Sequence, residues 1–225
     1  MIKQVGSFEE LVMTPFCDGV NALCWQRTLA GDFGEIVEKL KVEKGITSID
    51  EARLLALDLR EAGNVAREVL RQDLELLRAK DLLPSLDCVH GYVNEIESEL
   101  LRTDVQSWHV DSATAEADTY LCTYHGAVSE GLRNEEAVRR VDVPEIRAEL
   151  LQLYGGDDDE GFRDFLNENY LDLHYLPLPK AQPFAFGLGS LWRIATEYPG
   201  SPVPPCIHRA PATVAGQGAR LLLIS

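Results

Sequence analysis

The stretch Ser107-Trp108-His109-Val110-Asp111 decides how the C-terminal half of this chain folds. On an extended strand, residues i and i+2 project to the same face, so the His109 imidazole and the Asp111 carboxylate can converge on one ion. A third ligand must then come from a distant segment. His208, in the apolar-flanked CIHRAP (206–211), is the candidate. Two imidazoles and a carboxylate make up the facial set of non-haem Fe(II) sites, which leaves positions open for co-substrate and oxygen. Twelve residues beyond His208, Arg220 begins the last apolar run, RLLLIS (220–225). Its guanidinium offers a fork to a carboxylate, suited to the far carboxylate of 2-oxoglutarate while the keto-acid end meets the iron.

Outward from this stretch, the texture differs on the two sides. Upstream, FGEIVEKLKV (33–42) is amphipathic, with Ile36, Val37 and Leu40 on one face. From Ser48, with Ser48 or Asp50 as cap, apolar residues recur at helical spacing until Pro84. Gly63-Asn64 interrupts that run, giving two helices that meet at Gly63 or one kinked helix. The leucines of these helices are core residues. Residues 92–101 are ambiguous between helix and strand. Downstream, ADTYLCTY (117–124) reads as a strand. Pro144 opens a helix that runs to Tyr154 and stops at Gly155-Gly156, and a second helix is expected over Phe162 to Tyr170. From Pro183 on, short apolar runs broken by Gly and Pro read as strands. No repeat or low-complexity linker divides the chain, so 1–225 is expected to be a single domain. It has a helix-rich part over about 1–85 and a strand-rich core over about 86–225, with a helical insertion near 144–171.

Composition narrows the partners. The 225 residues are 45% apolar and 26% charged, enough for a packed core. Lys and Arg number 21 against 37 Asp and Glu, a net charge of −16. Such a surface repels nucleic-acid phosphates and anionic lipid, and the one short basic cluster is Arg139-Arg140. Neither a secretory signal nor an apolar membrane span is visible. Five dispersed cysteines without a CxxC pair point to reduced thiols, so the expected setting is cytoplasmic. The acidic run at 157–160 fails the calcium-loop pattern, because Gly156 and Asn167 would fall at the first and twelfth ligand positions. It is a solvated loop.

The order of HxD, distal His and final-strand Arg resembles the Fe(II)/2-oxoglutarate-dependent oxygenases, which share a double-stranded β-helix. More closely, WQR (25–27), HVD (109–111), CTYHG (122–126) followed by NEEAV, HRAP (208–211) and RLLLIS are similar to the bacterial proteins grouped as DUF1826. The similarity covers scattered blocks from about residue 20 to the end, and HVD and HRAP-to-RLLL are its specific part. It implies an α+β fold with a jelly-roll, cupin-like core and N-terminal and inserted helices. It also implies Fe(II) at His109, Asp111 and His208, with 2-oxoglutarate held by Arg220 and reached by Tyr124. Two departures bear on the clamp. Arg209 directly follows the distal His and competes with Arg220 for that role, and the preceding loop ATVAGQGA (212–219) is small and polar.

The expected activity is oxidation, foremost hydroxylation, of a small molecule such as an amino acid, with O₂ as the second co-substrate. The acidic surface favours a cationic or zwitterionic substrate and counts against nucleic acid. Two alternatives use the same residues: a non-oxidative cupin-like zinc or nickel hydrolase or isomerase, and a non-catalytic module that binds a partner through its leucine-rich helices. His90 and His174 read as structural, His125 as a turn or surface residue, and Trp108 and Trp192 as core. Oligomeric state has no signature in the sequence.

Overall fold

A computed structural model describes residues 1–91, 98–212 and 218–225. The described residues are mixed α/β, with six α-helices, a seven-stranded mixed sheet and two smaller sheets. Strands are β1 (Ile2–Val5), β2 (Ala22–Trp25), β3 (Gly45–Ser48), β4 (Ser85–His90), β5 (Asp118–His125), β6 (Glu130–Leu132), β7 (Ala137–Arg139), β8 (Tyr175–Pro177), β9 (Phe184–Ala185), β10 (Leu191–Ala195), β11 (Ile207–Arg209) and β12 (Arg220–Ile224). The large sheet runs β1-β2-β10-β5-β12-β4-β3, antiparallel except for the β1–β2 pair. The small sheet is β11-β6-β9, and β7 pairs with β8. His109 adds to the free edge of β11 through a reciprocal pair of backbone bonds with His208, both 2.9 Å.

Helices α1 (Phe8–Met13), α2 (Phe33–Leu40), α3 (Glu51–Leu55) and α4 (Glu61–Arg78) cover one face of the large sheet. Their starts follow local rules. Asp32 and Asp50 accept the backbone N–H groups of Glu35 and Arg53, satisfying donors that a helix start leaves open. On α4, Ala66, Leu70, Leu74 and Leu77 repeat every three or four residues and meet Leu86, Cys122 and Leu221 from the strands. The opposite face of the sheet packs against the small sheet through Cys24, Leu121, Phe186 and Trp192. Beyond the small sheet, Trp108, Val110, Leu132 and Ile207 form a further apolar layer. Helices α5 (Pro144–Tyr154) and α6 (Glu160–Glu168) lie between β7 and β8 and share a core built on Phe162.

The α5 boundaries are those expected, with Pro144 in the first turn and Gly155 ending the helix at φ 75°. Three expectations are corrected. First, the part before residue 85 supplies β1, β2 and β3 as well as helices. ALCW (22–25) is nearly all buried, so it lacks the alternation that marks a half-exposed strand. Second, the break between helices lies at 56–60, not at Gly63, which sits in the first turn of α4. A Cβ there would come within 2.3 Å of the Glu35 carboxylate, so glycine lets that side chain reach the Arg60 N–H. Third, α6 begins two residues earlier and ends at Glu168, with Tyr170 in the left-handed region at φ 56°. Of the ambiguous segment, 92–97 lie outside the described residues, and Glu99–Leu101 is a turn of 3₁₀ helix. Residues 213–217 of the loop before Arg220 also lie outside them. No described helix is long and apolar enough to cross a membrane.

Candidate metal centre

The backbone pairing of His109 with His208 places two imidazoles directly opposite each other on one face, with ring centroids 4.5 Å apart. Asp111, two residues after His109, projects to the same face. One ligand atom from each of His109, Asp111 and His208 lies within 4.8 Å of the others. His109 Nε2 is 3.9 Å from Asp111 Oδ1, and His208 Nε2 is 3.7 Å from Asp111 Oδ2.

Each side chain is oriented by a second contact. His109 Nδ1 lies 2.8 Å from the Ser107 carbonyl and His208 Nδ1 lies 3.2 Å from the Cys206 carbonyl. A carbonyl only accepts, so both Nδ1 atoms carry the proton and both Nε2 lone pairs are directed at the Asp111 side. Thr119 Oγ1 donates to Asp111 Oδ2 at 2.6 Å. Burial, reinforced by His208, pushes the His109 imidazole down to about 4, so it is a neutral donor at neutral pH. Burial raises the Asp111 carboxyl, but His208, the Thr119 hydroxyl and His109 together hold it below its ordinary range. Two imidazoles and one acidic carboxylate suit a divalent first-row metal.

These three residues line a cavity of about 220 Å³ together with Arg220. Arg220 is buried, and its Nη2 donates to Ser129 Oγ at 3.1 Å and Thr123 Oγ1 at 3.4 Å. Gly126, at φ 84°, permits this arrangement: a Cβ there would lie 3.0 Å from the Ala219 carbonyl and from Arg220 Cα. Arg209 is spent elsewhere. It pairs with Glu130 at 2.7 and 2.9 Å and lies 4.3 Å over the Trp108 ring, on the face opposite His208. Arg220, not Arg209, is therefore the guanidinium in the cavity wall.

Tyr124 is a correction. It points through the other face of β5, where its hydroxyl donates to Asp73 Oδ2 at 2.6 Å and its ring stacks on Phe33. Strand alternation is the reason. Tyr120, Cys122 and Tyr124 face the helices, whereas Thr119 and Thr123 bond to Asp111 and Arg220. Asp73 also takes both Arg27 Nη atoms, at 2.6 and 2.8 Å, which accounts for the Arg of WQR. His174 is buried with its Nδ1 2.8 Å from Ser107 Oγ, and His125 packs beside Gly34 of α2. Thr119 and Ser129 escaped the sequence reading, although Thr119 shares the parity of Thr123, whose facing opposite to its neighbour Tyr124 follows from strand alternation. No known protein family, curated protein or solved structure matches the chain, so the site's chemistry rests on its own geometry.

Proposed function

We propose that this chain is an Fe(II)- and 2-oxoglutarate-dependent oxygenase of a small molecule, built on a double-stranded β-helix. A jelly roll lays eight antiparallel strands in two facing sheets. The order β4-β12-β5-β10 in the large sheet supports that reading, as does the order of the His109 segment, β11, β6 and β9 in the small one. Along the chain these strands alternate between the sheets except at β6 and β9, which pair with each other across the insertion.

One observation carries the functional reading: the His-Asp-His cluster and a buried arginine line one cavity. His109, Asp111 and His208 would hold the metal. Arg220, fixed by Thr123 and Ser129, would bind the far carboxylate of 2-oxoglutarate, and its burial strengthens that pairing. Thr119 holds the Asp111 carboxylate in place. When bound, Fe(II) with 2-oxoglutarate and O₂ supplies the oxidising power, the co-substrate leaving as succinate and CO₂. The chain's share is to position the reactants and, through Val89, Leu121 and Leu222, to keep water from them. The absence of a membrane-spanning helix among those described and the free thiols agree with a cytoplasmic setting.

The test is spectroscopic. Anaerobic addition of Fe(II) and 2-oxoglutarate should produce the weak visible charge-transfer band of the chelate, and Arg220→Ala should raise the 2-oxoglutarate concentration needed for it by at least about tenfold. A protein without the band, or one isolated with zinc and converting substrate without consuming 2-oxoglutarate, would overturn the proposal.

A further inference from the structure

Asp87 lies in the wall of the same cavity and belongs to neither the metal cluster nor the carboxylate clamp. It sits on β4, opposite Ser48 of β3 and Leu222 of β12. Its Oδ1 accepts hydrogen bonds from Ser48 Oγ at 2.6 Å and Ser85 Oγ at 2.9 Å. These neutral donors fix the carboxylate without neutralising it. Among the described residues no Lys, Arg or His forms an ion pair with it.

Around this charge the wall is aliphatic, with Ile46, Val89, Leu222 and Ile224. Ile46 and Ile224 are exposed, so this part of the cavity opens to solvent. Arg220 and Leu222 are on the same face of β12, two residues apart, which separates the clamp from the Asp87 row by roughly 7 Å along the strand. The wall thus has one place for an anion and a separate place for a cation.

We propose that Asp87 recognises the substrate's cationic group, and that the substrate is an aliphatic ammonium or guanidinium compound. Its alkyl stem lies along Val89, Leu222 and Ile224 while the charged end meets the fixed carboxylate. A free carboxylate at that end is repelled, and a neutral group leaves Asp87 unpaired on complex formation. The net charge of −16 adds long-range attraction for cations. The assignment of a substrate rests on the oxygenase proposal, but the binding preference belongs to the cavity itself.

Calorimetric titration tests it with 1,5-diaminopentane against pentan-1-ol, which carries no charge, and with L-lysine against L-norleucine, which lacks the side-chain ammonium. Titrations are run on the metal-free protein and on the anaerobic Fe(II)/2-oxoglutarate complex, whose visible band is recorded in parallel. The cationic member of each pair should bind at least about tenfold more tightly. Asp87→Asn, isosteric and still able to accept both serine hydroxyls, should erase that difference and leave the band and the melting temperature unchanged. Asp87→Glu should restore part of it. Equal binding of charged and uncharged probes, or cation binding indifferent to Asp87→Asn, would overturn the inference. A missing band with an intact cation preference would instead count against the oxygenase proposal.

Discussion

Asp111 is the one anionic member of the ligand cluster, and it is held by Thr119 rather than by a cation. Removing it leaves two imidazoles facing each other, a pair that binds divalent metal weakly without a carboxylate. Asp111→Ala should therefore abolish Fe(II) binding at low micromolar metal while circular dichroism and melting stay near wild type. Unchanged affinity would refute the ligand assignment. The histidines set a pH dependence in the metal-free protein. Burial pushes His109 and His174 down to about 4, against an ordinary value near 6.5. Between these values the unfolded chain binds the protons that the folded state refuses, so stability falls as pH drops from about 6.5 to 4 and is flat above. The melting temperature should follow that profile. His174→Asn, which removes one titrating group and keeps a donor toward Ser107, should flatten it. An unaltered slope in that variant would show that His174 does not contribute.

At the scale of elements, the site depends on how β11 seats against β6 and β9. Gly131 of β6 lies between His208 and Phe184 in register, and a Cβ there would come within 2.1 Å of the Phe184 ring. Phe184 stacks with Phe186 and Trp192, and Phe186 lies against the His208 ring at 6.5 Å. Gly131→Ala should therefore cost about 1–3 kcal/mol by overpacking and also weaken metal binding, because the displaced aromatics move β11. Denaturant unfolding and metal titration of that variant read the two effects separately. Element boundaries were legible in the sequence where a local rule sets them, as at Asp50, Pro144 and Gly155. The His109 segment shows the limit of local rules: it is extended because it pairs with His208, a residue 99 positions away (208 − 109), and belongs to no regular strand of its own.

Across the whole molecule, Asp73 ties the helical layer to the sheet that carries the site. It binds Arg27 and Tyr124, and Arg27 Nε donates to the Gly189 carbonyl, whose residue's own N–H bonds to the Thr123 carbonyl. Thr123 in turn receives Arg220. Asp73→Ala strands a buried guanidinium and a buried phenol, and should cost about 3–5 kcal/mol of stability. It should also loosen the 2-oxoglutarate binding proposed for Arg220, and a variant with wild-type melting would remove this network from the account. By itself the sequence determined the helices with caps and stops, the strand character of 117–124 and of the final run 220–225, and the placing of His109 and Asp111 on one face. Each depends on residues within a few positions of one another. Tertiary structure alone decided which arginine enters the cavity, that Tyr124 turns away while Thr123 turns in, and that Asp87 stands beside the site. The physical reason is that β5 and β10 are buried on both faces, between helices on one side and the small sheet on the other, and that Arg220 of β12 is itself buried. In such strands polarity no longer alternates with facing, so only the packed sheets assign each side chain its side.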